Sequence, residues 1–243
     1  MNGGPPRHVV RLYGVLPFRL IALSLVVVCG LGCASSGPRQ PAGAPPTPES
    51  VSREEPGGNA ADPHEAALER LLAAPLGWRS DHEDVLHVPM PDWENWRRIR
   101  YYGVPTFVGF RYGNAHRAVL AAWIRPTAPG DDLETCLAKF ETWARPQADV
   151  FGVTTTPAET TRARWARGEV VIRTIDAQVS SLIWQRSYAA AYGAYTMWPG
   201  TCTVLGVAVL VKGSDELAHR VRDRYVREGF AAMQRQAEKV PQL

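Results

Sequence analysis

Metal-ligand residue types cluster in one place, "SDHEDVLH" at positions 80–87. His82, Asp84 and His87 are acceptable zinc ligands, and zinc held by three side chains would activate a water for hydrolysis. The spacing speaks against that use. It is not the His-Glu-x-x-His of a zinc helix, and on a strand His82 and His87, an odd number of residues apart, point to opposite faces. An acidic, solvated loop entering a strand accounts for the same letters. The preferred reading therefore has no metal and no cofactor, with a zinc-dependent envelope hydrolase as the alternative. Nucleophile motifs are missing as well: there is no Gly-x-Ser-x-Gly, no phosphate loop ending in Gly-Lys-Ser/Thr and no Cys-x-x-Cys. The sequence points away from an enzyme and towards a binding module.

The aromatic residues offer the other chemistry. All eight tryptophans lie between Trp78 and Trp198, and several alternate with arginine: "WENWRRIRYY" (93–102), "RARWARG" (162–168) and "WQRSYAAAY" (184–192). Exposed, such stretches make a platform for a protein or cell-wall glycan partner, with arginine adding charge-assisted and cation–π contacts. Buried, they are ordinary strand residues. Trp93, Trp96, Arg98 and Arg100 form the candidate partner-binding surface. In extended geometry Trp96, Arg98, Arg100 and Tyr102 share a face, and a strand turned to the core is not expected to carry two arginines there.

The elements that must position these residues can be read in order. Asp62-Pro63-His64-Glu65 is a helix start, with a capping Asp, a proline at the first helical position and Glu three residues on. It predicts a helix over 63–74, stopped by Pro75. Short aromatic or β-branched runs at 84–89, 96–102, 106–112 and 117–125 read as strands bounded by Gly, Pro or Asn. "DDLETCLAKFETWARP" has a capping box at Asp131 and Glu134 and apolar residues at helical spacing, and Pro146 should close it. A second strand group follows at 149–155, 168–178, 181–197 and 201–212, then a helix capped by Ser214 and running to about Gln236. Strands, helix, strands, helix without strict alternation argue for an α+β domain on a mainly antiparallel sheet. "AVLAAWI" (118–124) and "TVLGVAVLV" (203–211) are apolar on both alternating faces, so they belong at the centre, covered on both sides.

The chain before this domain has another composition. Arg7, Arg11 and Arg19 precede an uncharged, mostly Leu and Val run from Leu20 to Gly32, with small residues at its exit. That is the plan of a secretory signal peptide, and the run is shorter than the ~20 residues of a membrane-spanning helix. Residues 1–32 hold three of the 27 basic residues and none of the 24 acids, which leaves 24 of each behind them. A domain without a basic excess lacks the footprint of a nucleic-acid binder. From Ala34 to Pro63 the chain has seven prolines and no aromatic residue. Such a segment cannot bury enough surface to fold and reads as a tether with a coil dimension of about 30 Å. The domain boundaries are thus 1–32 signal peptide, 33–62 linker and 63–243 a single α+β domain. After export, Cys136 and Cys202 are expected to form a disulfide, with two buried free thiols as the alternative.

Two resemblances add to this. Gly30-Leu31-Gly32-Cys33 resembles the lipobox of bacterial lipoproteins, which implies cleavage before Cys33 and a lipid (diacylglycerol and palmitate) on its thiol. Ala34 in the next position resembles the outer-membrane pattern, so the implied location is the periplasmic face of the outer membrane of a bacterial envelope. "VPMPDWENW" (88–96), followed by strands, a helix, more strands and a last helix, resembles the PsbP-like α/β/α sandwich, with the long 155–168 connection as a departure. That resemblance implies an accessory or binding domain and carries over no site residues. The protein isolated from its native host is expected to begin at a lipid-bearing Cys33. Intact-mass measurement checks this, and a species that keeps Met1, or an unmodified Cys33, excludes the lipoprotein reading.

Overall fold

A computed structural model describes residues 62–79, 86–99, 107–114, 117–150, 152–165, 168–180, 184–196, 198–213 and 215–235. The expected signal peptide (1–32), Cys33 and the expected linker up to residue 61 lie outside the described residues, and no helix among those described is long and apolar enough to cross a membrane.

Helix α1 (Pro63–Ala73) starts as its sequence requires, with the Asp62 carboxylate accepting from the His64 amide at 2.8 Å. Strand β1 (Leu76–Arg79) pairs antiparallel with β2 (Leu86–Pro91), and β2 also pairs with β11 (Gln234–Arg235). The main sheet has eight strands in the order β3-β4-β5-β10-β9-β8-β6, with β7 paired to β8 beyond this path. These strands are β3 (Trp96–Ile99), β4 (Phe107–Tyr112), β5 (Ala118–Pro126), β6 (Val153–Thr155), β7 (Glu159–Trp165), β8 (Gly168–Ser180), β9 (Gln185–Tyr195) and β10 (Thr201–Val211). Every pairing is antiparallel. The two doubly apolar strands, β5 and β10, lie side by side in the middle, with Leu120 opposite Val207 and Trp123 opposite Val204.

Their two faces explain the layers. Leu120, Ile124, Leu205 and Val207 pack with Leu68 and Leu71 of α1 and with Val221 of α3 (Asp215–Arg224). Trp123 and Val204 on the opposite face pack with Leu137 and Phe140 of α2 (Leu133–Val150). The result is an α+β sandwich with helices on both faces of an antiparallel sheet.

Three expectations need correction. Helix α2 does not end at Pro146 but continues to Val150. A proline forfeits one backbone donor, and an amphipathic face packed on a sheet outweighs that local cost. The 155–168 connection contains strand β7, which the polar sequence "ETTRARW" hid. The last helix is not uniform either: α3 passes into a π-turn at Tyr225–Gly229 and a final turn at Phe230–Ala232, before β11. The Tyr225 ring lies 2.7 Å from where a Cβ on residue 229 would sit, so this turn requires glycine. Its hydroxyl donates to the Pro89 carbonyl at 2.6 Å. Arg224 donates to the carbonyls of Leu71, Leu72 and Ala74, supplying partners for the open carbonyls at the end of α1.

His64 ties α1 to the sheet. It is almost fully buried, and its Nε2–H donates to the Leu210 carbonyl at 3.0 Å. Burial lowers its pKa below the ordinary 6.5, partly offset by that hydrogen bond. The unfolded chain therefore takes up a proton near 6.5 while the folded chain resists it. Stability is full above that pH and falls as the pH drops below it. In His64→Gln, which keeps an N–H donor, the loss of melting temperature between pH 7 and pH 5 is expected to be smaller than in the wild type, as measured by thermal denaturation at each pH.

Candidate functional site

The aromatic surface expected at positions 93–100 is only partly present. Trp96 is 2% exposed, and its indole N–H donates to the Pro91 carbonyl at 2.8 Å. Its ring packs on Tyr112 with centroids 5.3 Å apart, and the Tyr112 hydroxyl donates to Asp92. Trp96 is thus a core residue and not a contact residue. The face it shares with Arg98 turns inward, and Arg98 is half-buried. One guanidinium nitrogen of Arg98 is itself enclosed, so an arginine on this strand does not mark an outward face. Arg100 lies outside the described residues. Trp93 remains exposed at 42%, as does Trp78 at 43%, and the Trp93 ring lies against Gly77. The "DWENW" phrase is a folding device: Asp92 adopts a left-handed φ of 51°, and its carboxylate is held by the Asn95 amide at 2.9 Å.

Of the zinc-type residues, His82 and Asp84 lie outside the described residues. His87 is on β2 with its ring edge-on to Trp78, centroids 6.0 Å apart. Among the described residues no group of three or more His, Cys, Asp or Glu is placed to hold a metal ion.

Two concavities lie along α2. The first, of about 590 Å³, sits at one end of the sheet. Its walls are the first turn of α2, the β7–β8 hairpin with Arg162, Trp165 and Glu169, the start of β10, and the Phe230–Met233 segment. The second, of about 630 Å³, runs between the second half of α2 and strands β6, β8 and β9, over a floor that includes Ala177, Ala190 and Ala208.

The end-of-sheet cleft owes its shape to three attachments of α2. First, Cys136 in the first turn of α2 is joined to Cys202 on β10 as a disulfide, and both line the cleft. Second, the helix start is capped one residue later than the sequence suggested: Asp132 accepts from the Thr135 amide at 2.7 Å, while Asp131 accepts from the Ala128 amide at 2.8 Å and pairs with Lys139. The Lys139 ammonium and the Ala128 amide hold Asp131 below the usual carboxylate range, and the Thr135 hydroxyl and amide do the same for Asp132. Third, Arg162 meets Glu134 at 3.0 Å and Glu169 at 3.3 Å, and Arg173 meets Glu134 at 3.2 Å as well as Glu141. Tyr192 donates to Glu141 at 2.7 Å, and burial followed by that carboxylate pushes the Tyr192 phenol up. This network crosses from sheet to helix between the two concavities.

Inside the cleft, Trp165 is half-buried, with its ring 5.8 Å from that of Tyr195. Tyr195 is 7% exposed, and its hydroxyl has no hydrogen-bond partner among the described residues. Burial, with a small contribution from Tyr225, raises its pKa well above 10, so it stays a neutral donor and acceptor. The sequence had marked "RARWARG" as one of three aromatic–arginine stretches. It gave no sign that Trp165 would meet Tyr195, thirty positions on.

No protein-family model matches the chain. No curated protein matches it in sequence. Solved structures do match. The solution structure of cyanobacterial PsbP (CyanoP) from Synechocystis sp. PCC 6803 is 12% identical, with a TM-score of 0.46 over 76% of this chain and 100% of that one. LpqN of Mycobacterium tuberculosis, described as involved in cell envelope biogenesis, is 13% identical, with a TM-score of 0.38 over 68% and 93%. A Bacteroides thetaiotaomicron structure is 8% identical, with a TM-score of 0.29 over 66% and 48%. No site residue comes with these likenesses.

The disulfide spans 66 residues. In the chain-entropy model a loop of that length stabilises by about 4 kcal/mol. Replacing both Cys136 and Cys202 with Ala is expected to lower the unfolding free energy by about that much. Urea denaturation measures it, and reductant should destabilise the wild type while leaving the double variant unchanged.

Proposed function

We propose that this chain is a lipoprotein of the bacterial cell envelope, held by lipid on Cys33 and carrying, on a flexible tether, a non-catalytic binding domain whose ligand enters the end-of-sheet cleft. The observation that carries the reading is the concavity of about 590 Å³ at the end of the sheet, which has the aromatic Trp165 in its wall and is large enough for a small ligand. The lining mixes aromatic side chains, Trp165 and Phe230, with charged ones, Glu134, Arg162 and Glu169, so a ligand there would meet both apolar surface and polar groups. The cleft's carboxylates already serve as the helix cap or as partners of lysine and arginine, which commits them to architecture and not to proton transfer. Export, tether and near-neutral charge motivate the envelope assignment, and the composition gives no support for nucleic acid as a partner.

A ligand that binds the folded state alone raises the melting temperature, by about 2.7 kcal/mol of stabilisation at a hundredfold excess over Kd. For a domain of this size that corresponds to roughly 5–10 °C. Thermal denaturation of the detergent-purified full chain, with and without a small-molecule extract of the host envelope, is expected to show such a rise. Trp165→Ala should abolish the rise. A shift that survives in Trp165→Ala, or no shift with any extract fraction, removes the cleft as the binding site.

A further inference from the structure

We infer that the second concavity, along the second half of α2, holds an acyl chain of a zwitterionic phospholipid, with the phosphate of its head group on Arg145 and the ammonium on Asp149. This goes beyond the ligand of the end-of-sheet cleft and does not depend on it.

Shape is the first argument. The first half of α2 sends Leu137 and Phe140 onto Trp123 and Val204, and the space between helix and sheet is filled there. Further along, the helix presents Ala144 and Ala148, one turn apart on one face. The sheet beneath presents Ala177, Ala190 and Ala208 from β8, β9 and β10. Small side chains thus face small side chains across about 630 Å³. The three sheet alanines belong to an apolar cluster that contains, among the described residues, no residue of a helix. A slot with such walls accepts a flexible hydrocarbon chain, which gains by leaving water and asks for no hydrogen bond.

The polar groups in the walls are the second. Glu141 accepts from Tyr192 and pairs with Arg173, so these three side chains are committed to one another. The part of a ligand that lies inside the slot is therefore best apolar, since a polar part would give up its water for few new partners.

Charge at the rim is the third. Arg145 and Asp149 are exposed beside the alanine row, and neither makes an ion pair or side-chain hydrogen bond with a described residue. A base placed four residues before an acid is the weaker order for pairing on a helix. Asp149 also lies in the last turn of α2, where a negative charge opposes the helix dipole. Neither placement serves the helix. A phosphate on the guanidinium and an ammonium on the carboxylate would engage both groups at once. A head group with a single charge would be attracted by one and repelled by the other.

The test is made in the native host. Cells are grown with a diazirine-bearing fatty acid that enters their phospholipids, then illuminated, and the full chain is purified and digested. Mass spectrometry is expected to find a phospholipid with a phosphate and an ammonium in its head, crosslinked to α2, β8 or β9. Ala148→Trp, which fills the slot from the helix side, should abolish the captured lipid. Exchanging the two charges, Arg145→Asp with Asp149→Arg, puts them in the better order for pairing with each other. That variant should keep a melting temperature equal to or above the wild type and still capture about tenfold less lipid, the effect of losing one charge-assisted contact. It carries the test alone if Ala148→Trp does not fold. Trp165→Ala, in the other concavity, should leave capture unchanged. No crosslink on α2, β8 or β9, or capture indifferent to the exchange, overturns the inference. A captured lipid with a singly charged head, or a crosslink to the lipid borne by the chain's own Cys33, overturns it as well.

Discussion

Two adjacent strands without a polar face govern this structure. β5 and β10 are buried along nearly their whole length, so the sheet that contains them has no side it can leave to water. Every large apolar side chain taken fully out of water stabilises by roughly 1.5–3 kcal/mol. An exposed ion pair contributes about 0–1 kcal/mol. Burial therefore decides the arrangement, and the charges adapt to it. One face takes α1 and α3, which also touch each other through Arg224. The other takes α2. The remaining strands extend outward in antiparallel order until the edges are reached.

The α2 face is the less complete of the two, and this is where function has room. A single helix of 18 residues crosses a sheet of eight strands, so it leaves a concavity beyond its start and another along its second half. Shallow coverage needs firm attachment. The disulfide fixes the first turn to β10, and the Glu134–Arg173–Glu141 network fixes the middle to β8. Arg173 is 19% exposed in its side chain, so its carboxylate partners cannot be lost without leaving a largely desolvated charge. Fixed walls favour a preformed cleft, in which a ligand need not organise the protein that receives it.

Much of the fold was legible because burial has a period. The doubly apolar runs named the two central strands, the capped helix starts named α1 and α2, and the sequence order argued for an antiparallel sheet. The errors arose where one physical effect overrode another. Pro146 is a stop signal in isolation and not when the helix is held by its packed face. β7 lacks apolar alternation because it is hydrogen-bonded on one side and largely exposed on its surfaces. The π-turn depends on the Tyr225 ring and Gly229, a contact four residues apart that no pattern of hydrophobicity reveals. Trp96 and Arg98 were assigned outward from their charge alternation, but the indole has its own acceptor in Pro91 and a ring partner in Tyr112. The site was legible only as composition. "RARWARG" advertised an aromatic residue among cations, whereas its meeting with Tyr195 depends on the register of β7, β8 and β9.

That register also explains why arginine and tryptophan alternate in β7. An edge strand exposes unpaired backbone groups and invites association with other chains unless charge discourages it. Arg162, Arg164 and Glu159 supply that charge along a strand whose ladder partner among the described residues is β8. Alternation then sends neighbouring residues to opposite sides. Ala163 and Trp165 pack against the α1 and α3 layer, opposite Val170 and Gly168, while Arg162, opposite Val171, turns to α2 and closes on Glu134. A sequence that reads as a surface platform is therefore a protected edge with one aromatic residue folded under it. The wall of the cleft follows from the same two-residue period that keeps the edge soluble, so a one-residue slip of β7 would expose the indole, bury the arginine and dissolve the cleft in a single step.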